Sequence, residues 1–382
     1  MKIKLLLIVL FPFIAFSQTE NIETTKNVQH HYLSINYHNG TVLSSNDFVT
    51  GINESGIPIE DYQSVSLKFG WQNPGYKDWQ QVHRGLFLGG GIFFGTFKRK
   101  EDLGNPIALY GIIGLPIWRY KRLDIYTEGQ FGVTGHWSKY DAESNPLNIA
   151  IGSTFTVFLD AGINAFYAVT PHFDLGLGYS FTHFSNGGTQ RPNHGLNLLS
   201  PSLELKYRFQ EKPDYKNIPY PPEDMKQSND LYIMLATGQH QMVAHEFDTV
   251  TRYHYGFIGL GLFYNIQHGN AFRSGFGTDI DFMRYLTAEP DGTKGPVTFD
   301  NMTIGLAYAP QVIIDNFTIV GSFGVYAKHK YHGNFKKTYQ RVGFRYRFEN
   351  NFSVGFNVRS VNFYFAEFLE FHLGYTIRWF KN

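Results

Sequence analysis

The segment FDLGLGYSFTHFSNGGTQRPNHGLNLLSPSLELKYRF, residues 173–209, alternates so regularly that it leaves few folds open. One parity carries Phe173, Leu175, Leu177, Tyr179 and Phe181, then His183 and Ser185. The other carries Asp174, Gly176, Gly178, Ser180 and Thr182. Side chains of a strand point alternately to its two faces, so one face here is apolar and the other small or polar. The return limb repeats the pattern, with Leu199, Leu203, Leu205, Tyr207 and Phe209 opposed by Ser200, Ser202, Glu204, Lys206 and Arg208. A polar inner face is not a protein core; it suits a transmembrane antiparallel β-barrel, apolar toward lipid and polar toward the lumen. His183, Ser185 and Asn197 interrupt the outward row near one end of this hairpin.

Composition agrees. Aromatics make up 17% of the 382 residues, while charged residues are also only 17%, below the usual quarter. Mean hydropathy is nevertheless -0.25, too low for a helical membrane protein. The net charge of +1 gives no basic field for nucleic acid. The absence of cysteine excludes disulfides, thiolate chemistry and a lipoprotein anchor.

Residues 1–17 read as a secretory signal peptide. Lys2 and Lys4 precede an apolar run from Leu5 to Phe16, and Ala15 and Ser17 meet the small-residue cleavage rule. Eight strands are expected near 29–38, 62–72, 83–97, 106–117, 122–137, 150–169, 172–186 and 196–209, making residues 18–210 a barrel. Tight turns at 120–122 and 170–171 alternate with long polar segments, loop 73–81 being an exception. Short turns are periplasmic and long loops external in bacterial barrels, so His183 and Ser185 fall at the outer-leaflet end. Residues 211–229, with four prolines and no alternation, read as a periplasmic linker. Eight further strands are expected in 230–382, as a decayed copy of the first set. FSVGFNVRSVNFY at 352–364 aligns without gaps to FDLGLGYSFTHFS, placing Asn362 opposite His183 and Tyr364 opposite Ser185. Two tandem eight-stranded barrels are the preferred architecture; one sixteen-stranded barrel is the alternative.

Histidine and serine two residues apart share a strand face within side-chain reach, so the imidazole can take the serine proton. Asn197 on the return strand can orient the ring. Asn186 and Gly187-Gly188 can turn N–H groups toward a developing oxyanion. Glu204 has the wrong parity and points into the lumen. Gly89-Gly90-Gly91 reads as barrel packing, and His30-His31 and His240/His245 lack an acidic set for a metal. Lys98, Arg99, Lys100, Lys328 and Lys330 lie in expected outer loops, where basic groups can meet lipid phosphates.

HFSNG at 183–187 followed by PNHGLN at 192–197 resembles the outer-membrane lipid A 3-O-deacylases, over roughly residues 28–210. The resemblance implies an eight-stranded barrel, His183 as base, Ser185 as nucleophile and Asn193 in the supporting Pro-Asn-x-Gly motif. The family's acid position holds Asn197 here. The H-x-S-N-G run with an asparagine is also similar to outer-membrane phospholipase A, which implies calcium. The reading that follows is an outer-membrane serine esterase of lipopolysaccharide, with no cofactor, and a calcium-dependent phospholipase or a non-enzymatic barrel as alternatives.

Overall fold

The computed structural model describes residues 30–98, 100–213, 226–246, 249–283, 298–299, 302–329, 338–363 and 365–380. The signal peptide, the linker between 214 and 225, Arg99, Lys330 and Tyr364 lie outside them. The first barrel comprises β1 (His30–Val42), β2 (Asp61–Gln72), β3 (Phe87–Phe97), β4 (Gly104–Tyr120), β5 (Leu123–Trp137), β6 (Thr156–Ala168), β7 (Phe173–Ser185) and β8 (Leu196–Arg208). Short helices α1 (Asp78–Val82) and α2 (Lys100–Leu103) sit in its connections. The second comprises β9 (Ser228–Glu246), β10 (Thr249–His268), β11 (Phe272–Met283), β12 (Met302–Ile314), β13 (Phe317–Lys328), β14 (Thr338–Arg347), β15 (Phe352–Val361) and β16 (Phe365–Phe380). All neighbours are antiparallel. β1 pairs with β8 and β9 with β16, so each set closes on itself and the sixteen-stranded alternative falls. Closure leaves no sheet edge unpaired.

The expected parity holds. On β1, Leu33, Ile35 and Tyr37 are exposed while Ser34, Asn36 and His38 are buried inside. Eight strands enclose a lumen just wide enough for side chains to fill, and here those side chains carry charge. Lys68 Nζ sits between Glu128 (2.7 Å) and Glu204 (2.9 Å). In the second barrel, Arg341 reaches Asp279 (2.6 Å) and Glu370 (2.7 Å), and Arg359 reaches Asp281 (2.6 Å). These buried groups pair opposite charges inside the lumen. Gly89 and Gly91 make room for Tyr32 and Tyr110, the packing role expected of the glycine run.

Two strands begin later than their alternation implies. Residues 150–155 are a packed loop, because the Asn148 side chain accepts from the Ala150 and Ile151 amides (3.1 and 3.0 Å) and donates to Ser138 O (2.7 Å). These local side-chain bonds compete with the ladder. Residues 83–86 form a turn in which the Leu86 amide donates to His83 O (2.9 Å).

The barrels lie side by side in the same sense. At mid-height Phe131 packs on Phe344 and Phe356, with ring centroids 5.4 and 5.2 Å apart. At the tight-turn end, His83 Nε2 meets Ile313 O at 2.5 Å.

Candidate active site

His183 and Ser185 close the last turn of the pleat in β7, and Phe184 between them points inward. Phe184 is fully buried against Phe93, Trp137 and Phe158 (centroids 6.0, 5.0 and 5.6 Å). Anchoring that ring fixes the pleat, so its two neighbours face out of the barrel. The ladder pairs His183 directly with Asn197 on β8. Across that pair, His183 Nδ1 and Asn197 Oδ1 are 2.6 Å apart. A carbonyl oxygen only accepts, so this contact places the proton on Nδ1 and leaves Nε2 to accept a proton from elsewhere.

Ser185 is nearly buried, at 6% exposure. Its Oγ accepts from Asn193 Nδ2 (2.9 Å) and from the Gly187 amide (3.2 Å). Among the described residues, no hydrogen bond joins His183 to Ser185. Nucleophile–base contacts are often open without substrate and tighten in the complex.

The loop after β7 is held by its own side chains. Asn186 Oδ1 accepts from the Gly188 amide (3.0 Å), and its Nδ2 donates to Ser153 Oγ (3.1 Å) and Gln190 O (2.7 Å). Asn193 Oδ1 accepts from the Asn186 amide (3.0 Å). Of the expected oxyanion and support residues, Asn193 therefore touches Ser185, Asn186 braces the loop, and the Gly188 amide is occupied. Of the glycine pair named from the sequence, it is the Gly187 amide that stands at the serine. Gly195 has φ +76°, and a Cβ there would come within 2.9 Å of His183 Cε1, so the chain passes close beside the imidazole.

Other expected residues lie elsewhere. Glu204 is inside the lumen on Lys68, as its parity requires. Lys98 pairs with the Asp61 carboxylate at the exposed loop end, and Lys100 opens α2. Lys328 donates to Phe299 O at 2.9 Å and lies 3.7 Å from its ring centroid. His30 Nδ1 contacts Glu211 O, and His240 Nδ1 contacts Glu367 O, both at 2.9 Å. The side chain of His245 lies outside the described residues. No group of three or more metal-binding side chains gathers among those described.

Serine, imidazole and amide thus share the outward face of one hairpin of a membrane-type barrel. Over its first barrel the chain belongs to the lipid A 3-O-deacylase family. The family model "Lipid A 3-O-deacylase (PagL)" matches residues 63–208, and "Acyloxyacyl hydrolase, C-terminal domain" matches 229–379. The second barrel, which carries no motif of its own to the eye, is thus recognised as a domain of the same family. No curated protein sequence matches the chain significantly. Among solved structures, the outer membrane enzyme PagL is 12% identical, covering 45% of this chain and 97% of its own, with a TM-score of 0.33. Neisserial surface protein A is 12% identical, covering 47% and 97%, with a TM-score of 0.32. The Pseudomonas putida toluene transporter TodX is 9% identical over 92% and 87%, with a TM-score of 0.19.

Proposed function

We propose that the chain hydrolyses an ester-linked acyl chain of lipid A at the outer leaflet of a Gram-negative outer membrane. The observation that carries the reading is the 2.6 Å contact between His183 and Asn197 on the outward face that also bears Ser185. Ser185 Oγ attacks the ester carbonyl while His183 Nε2 takes its proton and returns it to the leaving alkoxide. Asn197 holds the tautomer and ring plane by its carbonyl but brings no negative charge to steady the imidazolium. Asn193 Nδ2 and the Gly187 amide, both at the serine, are placed to receive the oxyanion after a small shift of the serine rotamer. Water, activated by the same imidazole, then releases the fatty acid. Lys98, Lys100 and Lys328 are candidates for the lipid A phosphates.

Asn197 favours a second reading, a phospholipase, because that class carries an asparagine at this spacing. The test is purified full-length protein incubated with lipid A or with phosphatidylethanolamine, with and without EDTA, followed by mass spectrometry. The deacylase reading expects an ester-linked acyl chain lost from lipid A regardless of EDTA. Hydrolysis confined to phospholipid and abolished by EDTA overturns it.

A further inference from the structure

We infer that the second barrel is a working part of the active site, supplying Leu369 and Gln241 as positioning residues for the loop that holds Ser185. The inference rests on the esterase reading and extends it to a domain that carries none of the catalytic groups.

Gly187 and Gly188 are both buried, with φ of +65° and +81°, the left-handed region open to glycine. A second constraint comes from outside the first barrel. A Cβ on Gly187 would collide with the Leu369 side chain of β16. A Cβ on Gly188 would come within 3.1 Å of Ala366 O, 3.1 Å of His240 Nδ1 and 3.2 Å of Glu367 O. The glycine pair is therefore pressed flat against the second barrel.

Gln241 of β9 bonds the same loop twice. Its amide donates to Gly188 O (2.9 Å), and its Oε1 accepts from the Arg191 amide (2.5 Å). Its Nε2 contacts His254 Nε2 at 2.9 Å, so the side chain is fixed from its own barrel. The loop thus runs from Ser185 to a clamp at 188–191 before returning through Asn193 to the serine. Gly187, whose amide touches Ser185 Oγ, lies between nucleophile and clamp with Leu369 as its floor. Without the second barrel, the loop loses that floor and both bonds. Misplacing reacting groups by about 1 Å can cost roughly a hundredfold in rate.

The test uses the full chain in detergent with lipid A, scoring fatty acid release alongside the heat-modifiable gel mobility of a folded barrel. Leu369→Ala and Gln241→Met are expected to lower kcat by about ten- to a hundredfold, with KM changed less than about threefold. Leu369→Met, which refills the space, and Gln241→Glu, which restores an acceptor for Arg191, are expected to recover most of that loss. Leu373→Ala, at an exposed position of β16, serves as the control with an unchanged rate. Folded Leu369→Ala and Gln241→Met proteins that cleave at the wild-type rate would overturn the inference while leaving the esterase reading intact. A wild-type chain that releases no more fatty acid than Ser185→Ala would overturn both.

Discussion

The seventh strand of each barrel ends differently, although the two segments share one pattern. In β7 the strand continues through His183, Phe184 and Ser185, and Phe184 is fully buried in the lumen. In β15 the strand stops at Val361, and Asn362 and Phe363 turn away with φ of +51° and +61°. Phe363, the counterpart of Phe184, is 72% exposed. Asn362, opposite His183 in the alignment, accepts instead from the Thr338 amide (3.4 Å) and hydroxyl (3.3 Å) across the turn. What separates the barrels is three residues of extra pleat. An aromatic ring locked inside the wall holds two polar groups on its outside; where the ring leaves the wall, Asn362 is drawn into the turn instead.

Breaking the comparison at the chemistry gives the largest effect. Ser185→Ala and His183→Ala are each expected to reduce acyl release from lipid A by at least about a thousandfold, read by mass spectrometry of product. Next comes the anchor. Phe184→Ala is expected to destabilise the first barrel by about 3–5 kcal/mol, seen as a lower unfolding temperature in the heat-modifiability assay. Phe363→Ala, its exposed counterpart, is expected to leave that temperature within error. Asn197→Leu removes the acceptor on the imidazole and is expected to cost about ten- to a hundredfold in kcat, the worth of one orienting hydrogen bond to a group that becomes charged. Smallest of all, Asn362→Ala in the second barrel should leave the rate within about twofold; a large loss there would mean that the second barrel's turn shares in the chemistry.

The sequence told a great deal about β7 and β8, because a period of two assigns every residue to a face. Parity alone put His183, Ser185 and Asn197 on the outward face and turned Glu204 into the lumen. The count of strands favoured two barrels of eight over one of sixteen; the Lys68 partner of Glu204 came only with the structure. Parity said little where the backbone departs from the ladder. The Asn148 side chain turned residues 150–155 from a strand into a packed loop, and periodicity is blind to such local bonds. The roles of Asn186, Gly187 and Asn193 depend on how one loop folds back on itself, so the glycine whose amide meets the serine could not be chosen. Leu369 and Gln241 were invisible for a different reason. They lie more than fifty residues beyond Gly187, and only the seam between the barrels brings them to the loop.

The most direct measurement is the mass spectrum of lipid A from cells producing the wild-type chain, Ser185→Ala or Asn197→Glu. The proposed mechanism predicts a species lighter by one ester-linked acyl chain with the wild-type protein, none with Ser185→Ala, and an equal or greater yield with Asn197→Glu, which adds charge beside the imidazolium. Identical spectra for wild type and Ser185→Ala would contradict the outward-facing hydroxyl as nucleophile, and a dead Asn197→Glu would contradict the role given to the amide.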